Sequence, residues 1–311
     1  MLRSAWFLFP TGEGMTEILT ESLGGKLVPV EVTGPMGEIV EARFGRVGKT
    51  AILDVASACG LNLVPKERRN PLIATSKGVG ELIVAAINSG CEELLIGLGG
   101  SATCDGGAGM MTVPGLRNIA LGVKIKALCD VDNPFLGIRG AARVFAPQKG
   151  ADSQMVDDLE TRMEIQAARI LSQTGVDVSM MHGAGAAGGL GGALHAYLGA
   201  ELVPGIETVL DILGFDKEIV DADLIITGEG ASDLQTLSGK VPMGVLRRSS
   251  GIPVILVSGR VKDHDSILAA GFAAAIQITP DGIPTSEAIK PYIARENLRL
   301  AAGRLIVPIM G

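Results

Sequence analysis

Four carboxylates, a set of hydroxyls and two glycine-rich runs carry the chemistry this sequence could do. The densest stretch is 94–110, Leu-Leu-Ile-Gly-Leu-Gly-Gly-Ser-Ala-Thr-Cys-Asp-Gly-Gly-Ala-Gly-Met. Glycines stand at 97, 99, 100, 106, 107 and 109, with Ser101, Thr103 and Asp105 among them. Glycine tolerates positive φ and lets another molecule approach the backbone closely. Bare amides can then face an anion, while hydroxyls and a carboxylate can hold a metal or a substrate hydroxyl. Two or three glycines would indicate an ordinary strand-to-helix connection. Six, with three polar side chains among them, predict a ligand site.

A second run, Gly-Ala-Gly-Ala-Ala-Gly-Gly-Leu-Gly-Gly, fills 183–192. Gly183, Gly185 and Gly188 match a dinucleotide fingerprint, which needs a strand before it and an acidic residue beyond it. Val176 to Met181 is a poor strand, and Glu207, near the right spacing, falls inside a predicted helix. A tight helix start near a phosphate is the better reading. Gly239-Lys240 ends like a Walker motif, but Leu234 and Val241 stand where that motif needs glycine and a hydroxyl. Lys240 still precedes a predicted helix start, where a cation and free amides together favour phosphate. Asp105, Asp130, Glu229 and Asp233 each follow a predicted strand. One such carboxylate reads as a helix cap; four in similar positions point to a shared site of metal ligands or bases.

The elements that must position these residues follow from periodicity. Helical spacing marks 15–23, 79–89, 152–172 and 204–213, the last stopped by Gly214. Strand-like runs fall at 26–32, 38–44, 50–55, 94–96 and 125–129. From 223 a βα rhythm appears: strands 223–227, 253–257 and 274–278, helices opening at Pro242 and over 263–270 and 285–303. Such alternation implies a parallel sheet whose ligands bind beyond the carboxyl ends of the strands. That places Gly228 to Lys240 and Ser258 to Arg260 at a candidate site.

Composition sets the outer limits. A chain of 311 residues exceeds a typical single domain. A net charge of −7 and 3% aromatic residues exclude a nucleic-acid partner. The four cysteines show no paired or zinc-binding spacing, which fits reduced thiols in a cytoplasmic protein. No apolar run reaches membrane-spanning length.

At these motifs the chain resembles the type I glycerate kinase family over roughly 12–311. The resemblance rests on Thr75-Ser-Lys-Gly-Val-Gly-Glu-Leu-Ile83, Gly99-Gly-Ser-Ala-Thr-Cys-Asp-Gly-Gly-Ala-Gly109, Cys129-Asp-Val-Asp-Asn-Pro134 and Pro147-Gln-Lys-Gly-Ala151. It continues through Gly183 to Gly191, Thr227-Gly-Glu-Gly230, and Asp233-x-Gln-Thr-Leu-x-Gly-Lys240. It implies two α/β domains. One is Rossmann-like with a parallel sheet, built from 1–24 and 206–311; the other, 25–205, is a glycine-rich mixed α/β domain.

The implied activity is transfer of the ATP γ-phosphoryl group to glycerate with Mg²⁺, giving 2-phosphoglycerate in the usual family reaction. Asp105 or Asp233 would take the hydroxyl proton, and Asp130 and Glu229 would hold the metal. Gly99, Gly100, Ser101, Thr103, Gly185, Gly188, Gly228, Gln235 and Lys240 would contact substrate or phosphate. The expected partner is the small-molecule substrate alone, with no membrane; a homodimer is left open.

Cys104 and Ala231 replace the family's asparagine and arginine, the opening strand and basic loop of the family find no match in 1–9, and Pro10 stands where the family's next loop has aspartate. The expectation is a chain shortened at its N-terminus and a poor kinase. The rival readings are a dinucleotide-dependent oxidoreductase using 183–188 and a non-catalytic remnant that still binds ligand.

Overall fold

A computed structural model describes residues 14–306 except Gln235, Gly239 and Lys240. The chain forms two compact units that part between Val209 and Leu210.

The larger unit opens with helix α1 (Met15–Ser22) and an antiparallel ribbon, β1 (Lys26–Thr33) and β2 (Ile39–Val47). β2 turns back into β3 (Thr50–Asp54), also antiparallel. Short α2 (Ala56–Cys59) and α3 (Lys77–Asn88) lead to β4 (Glu93–Gly97), and α4 (Leu116–Ile119) leads to β5 (Lys124–Leu128). Three helices, α5 (Ala141–Phe145), α6 (Ser153–Thr174) and α7 (Ala186–Leu198), precede β6 (Glu201–Val203). The six strands lie in sequence order, and β3 to β6 run parallel.

The parallel strands owe their form to burial on both faces. After its first residue every position of β4 is buried, so its apolar run is unbroken rather than alternating. α6 shows why a long helix starts and stops where it does. Asp152 Oδ1 accepts from Met155 N at 2.9 Å, Gly175 ends the helix at φ 75°, and Leu159, Met163 and Ile170 bury its stripe.

Helix α8 (Gly205–Ile212) carries the chain to the smaller unit. There α9 (Phe215–Glu218), β7 (Ile225–Ser232), α10 (Val241–Arg247), β8 (Val254–Val261), α11 (His264–Ala269) and β9 (Ala274–Gln277) are followed by α12 (Thr285–Ala288) and α13 (Pro291–Ile306). β7, β8 and β9 form a parallel sheet over buried Val254, Leu256 and Ile267. Both units are α/β, as the sequence implies.

Four local expectations change. Residues 15–24 belong with the six-stranded sheet and not with the C-terminal unit. Met15 and Leu19 are fully buried, Thr16 Oγ1 donates to Asp54 Oδ2 at 3.0 Å, and Gly45 of β2 lies against Thr20. The strand expected to stop at 227 runs through Gly228, Glu229 and Gly230 to Ser232. A side chain at Gly228 would stand 2.3 Å from the Val257 carbonyl, so glycine here permits close strand pairing and does not start a loop. β8 likewise continues past 257 to Val261, which puts Ser258 and Arg260 inside a strand. The final helix breaks before Pro291, because the residue preceding a proline is pushed out of helical geometry.

The two glycine runs are where backbone replaces side chains. Ala187, Gly188 and Gly189 have φ of 52°, 69° and 93°, so α7 begins with a left-handed interruption. A Cβ on Gly188 would stand 2.0 Å from the Thr103 carbonyl oxygen. Gly188→Ala should therefore cost about 2–5 kcal/mol, combining left-handed strain with overpacking. Gly122→Ala, also at positive φ but facing open space, should cost only about 1–2 kcal/mol. Denaturant titration of the two variants tests this; equal losses would remove the packing role.

Candidate functional site

Because β3 to β6 run parallel, the loops after β4 and β5 leave the sheet at the same edge. A cleft of about 270 Å³ opens there, lined by Leu98, Gly99, Cys129, Asp130, Val131 and Ala186. It joins three separate motifs: the start of the 97–109 loop, the turn after β5 and the beginning of the second glycine run. Asp130 Oδ1 accepts from Gly205 N at 2.8 Å and Ile206 N at 3.3 Å, so it caps α8. Its Oδ2 accepts no hydrogen bond among the described residues. Cys129 donates from Sγ to the Val131 carbonyl at 3.1 Å, and burial pushes its thiol up.

Deeper in the loop, Asp105 is a staple. Oδ2 accepts from Ser76 N at 2.9 Å, Ser76 Oγ at 2.8 Å and Gly109 N at 3.0 Å; Oδ1 accepts from Gly107 N at 3.1 Å. Ser76 Oγ accepts in turn from Met110 N at 2.9 Å. The carboxylate thus ties the start of α3 to the loop that follows β4. A side chain expected to exchange a proton is already engaged by four donors of its own chain.

Most glycines expected to face a ligand face backbone or side chains of the fold. A Cβ on Gly106 would meet Gln166 and Phe135, on Gly107 Ala193, and on Gly109 the Thr75 hydroxyl; on Gly185 it would meet the Pro134 carbonyl. Gly106 N donates to the Gly188 carbonyl at 3.0 Å. Gly185 and Gly188 therefore serve the packing of one run on the other, while Gly99 lines the cleft and Gly100, at φ 70°, is exposed beside it. The segment 176–181 contains no strand, so 183–188 lacks the context of a dinucleotide fingerprint.

The reading of single residues overlooked Lys149, although its motif, Pro147 to Ala151, stood out. Lys149 is only 3% exposed and donates to Ser101 Oγ at 3.0 Å and the Thr103 carbonyl at 2.6 Å. Burial holds its ammonium below the usual lysine range. The nearby Cys59 and Cys104 thiols are pushed up by burial to about 12 and about 11. The signal was the lone lysine in a motif with no acidic neighbour.

In the smaller unit Glu229 lies within β7, not after it. Its Oε1 accepts from Ser232 Oγ at 2.9 Å and from the Thr236 hydroxyl, and Ser232 Oγ also meets the Ser258 hydroxyl. Asp233 N donates to Thr236 Oγ1 at 3.1 Å, closing a hydroxyl-rich turn at the carboxyl end of the strand. Gln235 and Lys240 lie outside the described residues. No group of three histidine, cysteine or acidic side chains among the described residues could cage a metal. Magnesium usually keeps its waters and binds through one or two carboxylates plus substrate phosphates. The unengaged Asp130 Oδ2 beside the cleft fits that mode.

Parallel strands that gather glycine-rich loops at their carboxyl edge define a small-molecule α/β enzyme fold. A model of the glycerate kinase family matches this chain over residues 8–120 and 112–309. A glycerate kinase of Bacillus cereus is 42% identical across 94% of this chain and 84% of its own length. Glycerate 2-kinase of Escherichia coli K12 is 42% identical across 83% of this chain and 76% of its own. A crystal structure from Salmonella typhimurium LT2, solved under the name glycerate kinase 2, superposes with a TM-score of 0.76 at 38% identity, covering 95% of this chain and 88% of that one. The chain belongs to the glycerate kinase family. No described helix is long and apolar enough to cross a membrane.

The staple makes a direct prediction. Asp105→Asn replaces one acceptor oxygen by an amide that faces backbone N–H groups. It should lower stability by about 2–4 kcal/mol, the cost of donors left unsatisfied in a partly buried network. Denaturation of the variant tests this; unchanged stability with lost turnover would return Asp105 to the chemistry.

Proposed function

We propose that this chain transfers the γ-phosphoryl group of ATP to a hydroxyl of glycerate, giving 2-phosphoglycerate and ADP. Support comes from family membership joined to one observation: three glycine- and carboxylate-bearing motifs meet at one cleft beyond β4 and β5. A cleft of about 270 Å³ suits a three-carbon acid.

In the reaction a substrate oxygen forms a bond to the γ-phosphorus while the bond from that phosphorus to the bridging β–γ oxygen breaks. Little covalent chemistry falls to the protein, which positions the reactants and offsets charge. Gly99, Gly100 and Ser101 offer backbone and hydroxyl donors to the acid or its phosphoryl group. Asp130, with Glu229 as the second candidate, would contact Mg²⁺ carried by the nucleotide, which supplies charge neutralisation. Asp105 holds the loop in place. For it to act as base, substrate would have to displace one of four donors. Asp233 is the alternative acceptor of the hydroxyl proton. Gln235 and Lys240 follow it in the sequence and are assigned to the phosphate side. Reduced cysteines and cytoplasmic location complete the reading.

The test is ADP release coupled to a reporter, with D-glycerate, ATP and Mg²⁺. The expected result is ADP release that requires D-glycerate, falling by about 10²–10⁴-fold in Asp233→Asn if that carboxylate is the base. ATP binding without turnover would overturn the assignment in favour of a ligand-binding remnant.

A further inference from the structure

Lys149 is the only fully buried lysine among the described residues. A charge removed from water needs an opposite charge or a full set of hydrogen bonds. Lys149 has neither. Its two acceptors, Ser101 Oγ and the Thr103 carbonyl, are neutral. No carboxylate lies within ion-pair distance of Nζ among the described residues. The groups facing it are the Cys59 and Cys104 thiols and the Asp105 carboxylate. Both thiols stay protonated at neutral pH, and the Asp105 oxygens are engaged by Ser76, Gly107 and Gly109.

Ser101 repeats the pattern. It is 4% exposed and its oxygen accepts from Lys149, yet its own O–H has no acceptor among the described residues. The third N–H of Lys149 has none either. Two adjacent buried donors thus lack acceptors, and Ser101 lies two residues along the chain from Gly99, which lines the cleft. Native structures rarely leave buried donors unmatched. What is missing is an acceptor with negative charge.

We infer that Lys149 is a positioning residue whose counter-charge is the anionic group of the substrate held on Gly99–Ser101, reached through the Ser101 hydroxyl. The shared chemistry is a carboxylate or a phosphoryl group. This rests on the kinase reading above for the identity of the substrate, but not for the presence of an anion. With the anion bound, Ser101 donates its proton toward it, and the ammonium beneath is balanced. Without it, the cation stands alone.

Lys149→Met separates this role from simple support of the loop. Replacing an unbalanced buried charge by an apolar chain of similar length is often neutral or stabilising. The ligand-free variant should therefore melt at or above the wild-type temperature. Its KM for D-glycerate should rise about 10–100-fold, the span of one charge-assisted hydrogen bond, with a smaller change in kcat. Lys149→Arg should recover part of the loss. A lowered melting temperature with unchanged KM would assign Lys149 to structure alone and overturn the inference. The same comparison with inorganic phosphate, read as ligand-induced thermal shift, distinguishes a phosphoryl site from a carboxylate site. It also holds if wild-type protein fails to turn over glycerate, a result that sinks the kinase reading by itself. A phosphate shift kept in full by Lys149→Met, with no glycerate effect, would again overturn it.

Wild-type protein gives a second test that no folding defect can obscure. Burial lowers the proton affinity of Lys149 in the ligand-free state, and a bound anion raises it. Binding should therefore take up protons, and affinity should fall as pH rises through the ligand-free pKa, below 10.5. Calorimetry of D-glycerate and phosphate binding in buffers of different ionisation enthalpy, from about pH 6 to about pH 10, reads this directly. Absence of proton uptake for both ligands throughout that range would overturn the inference.

Discussion

The fold around the cleft depends on one close approach, that of the Thr103 carbonyl to the bare Cα of Gly188. No side chain can stand between them. The contact is sealed by the hydrogen bond from Gly106 N to the Gly188 carbonyl. Two loops more than eighty residues apart in sequence thereby become one layer. Gly99 and Ala186 meet at the cleft because their two runs are laced a few residues further on. Glycine content that suggests flexibility in a sequence here produces a rigid backbone contact.

Charge is distributed unequally across this layer. Asp105 is answered four times by its own chain, so its negative charge is absorbed by backbone amides and a serine. Lys149, packed against the same loop from the turn before α6, is answered only by neutral oxygens. The Asp130 carboxylate divides its two oxygens, one capping α8 and the other left beside the cleft. In the smaller unit Glu229 sits in a hydroxyl network with Ser232 and Thr236. Carboxylates that the sequence places alike after strands have thus taken different tasks, according to the donors each one finds nearby.

The sequence made the architecture legible wherever a signal was local. Buried apolar runs marked β4 and β5, and helical spacing marked α6 over 152–172. It misled where glycine serves packing. Gly228 read as the end of a strand because its pairing with Val257, a long-range contact, leaves no local trace. The placement of α1 failed for the same reason, since its burial depends on Asp54 and Gly45, distant in the chain. Asp130 and Gly99, which the sequence places after strands, line the cleft. The role of Asp105 was not legible, because its donors Ser76 and Gly109 converge only when α3 packs beside the loop. Lys149 showed only as part of a motif; its burial is a property of the folded chain.

The interlock of the two glycine runs has a consequence for biosynthesis. Gly188 emerges from the ribosome well after Thr103 and Gly106. Until then the earlier loop has no surface on which to close. Contacts of high sequence separation form late and slowly, and domains mature as units during synthesis. A nascent chain halted before residue 188 would hold β3, β4 and β5 without a finished cleft edge. Assembly of the cleft is thus a checkpoint on completion of the larger unit, placed almost at its last helix.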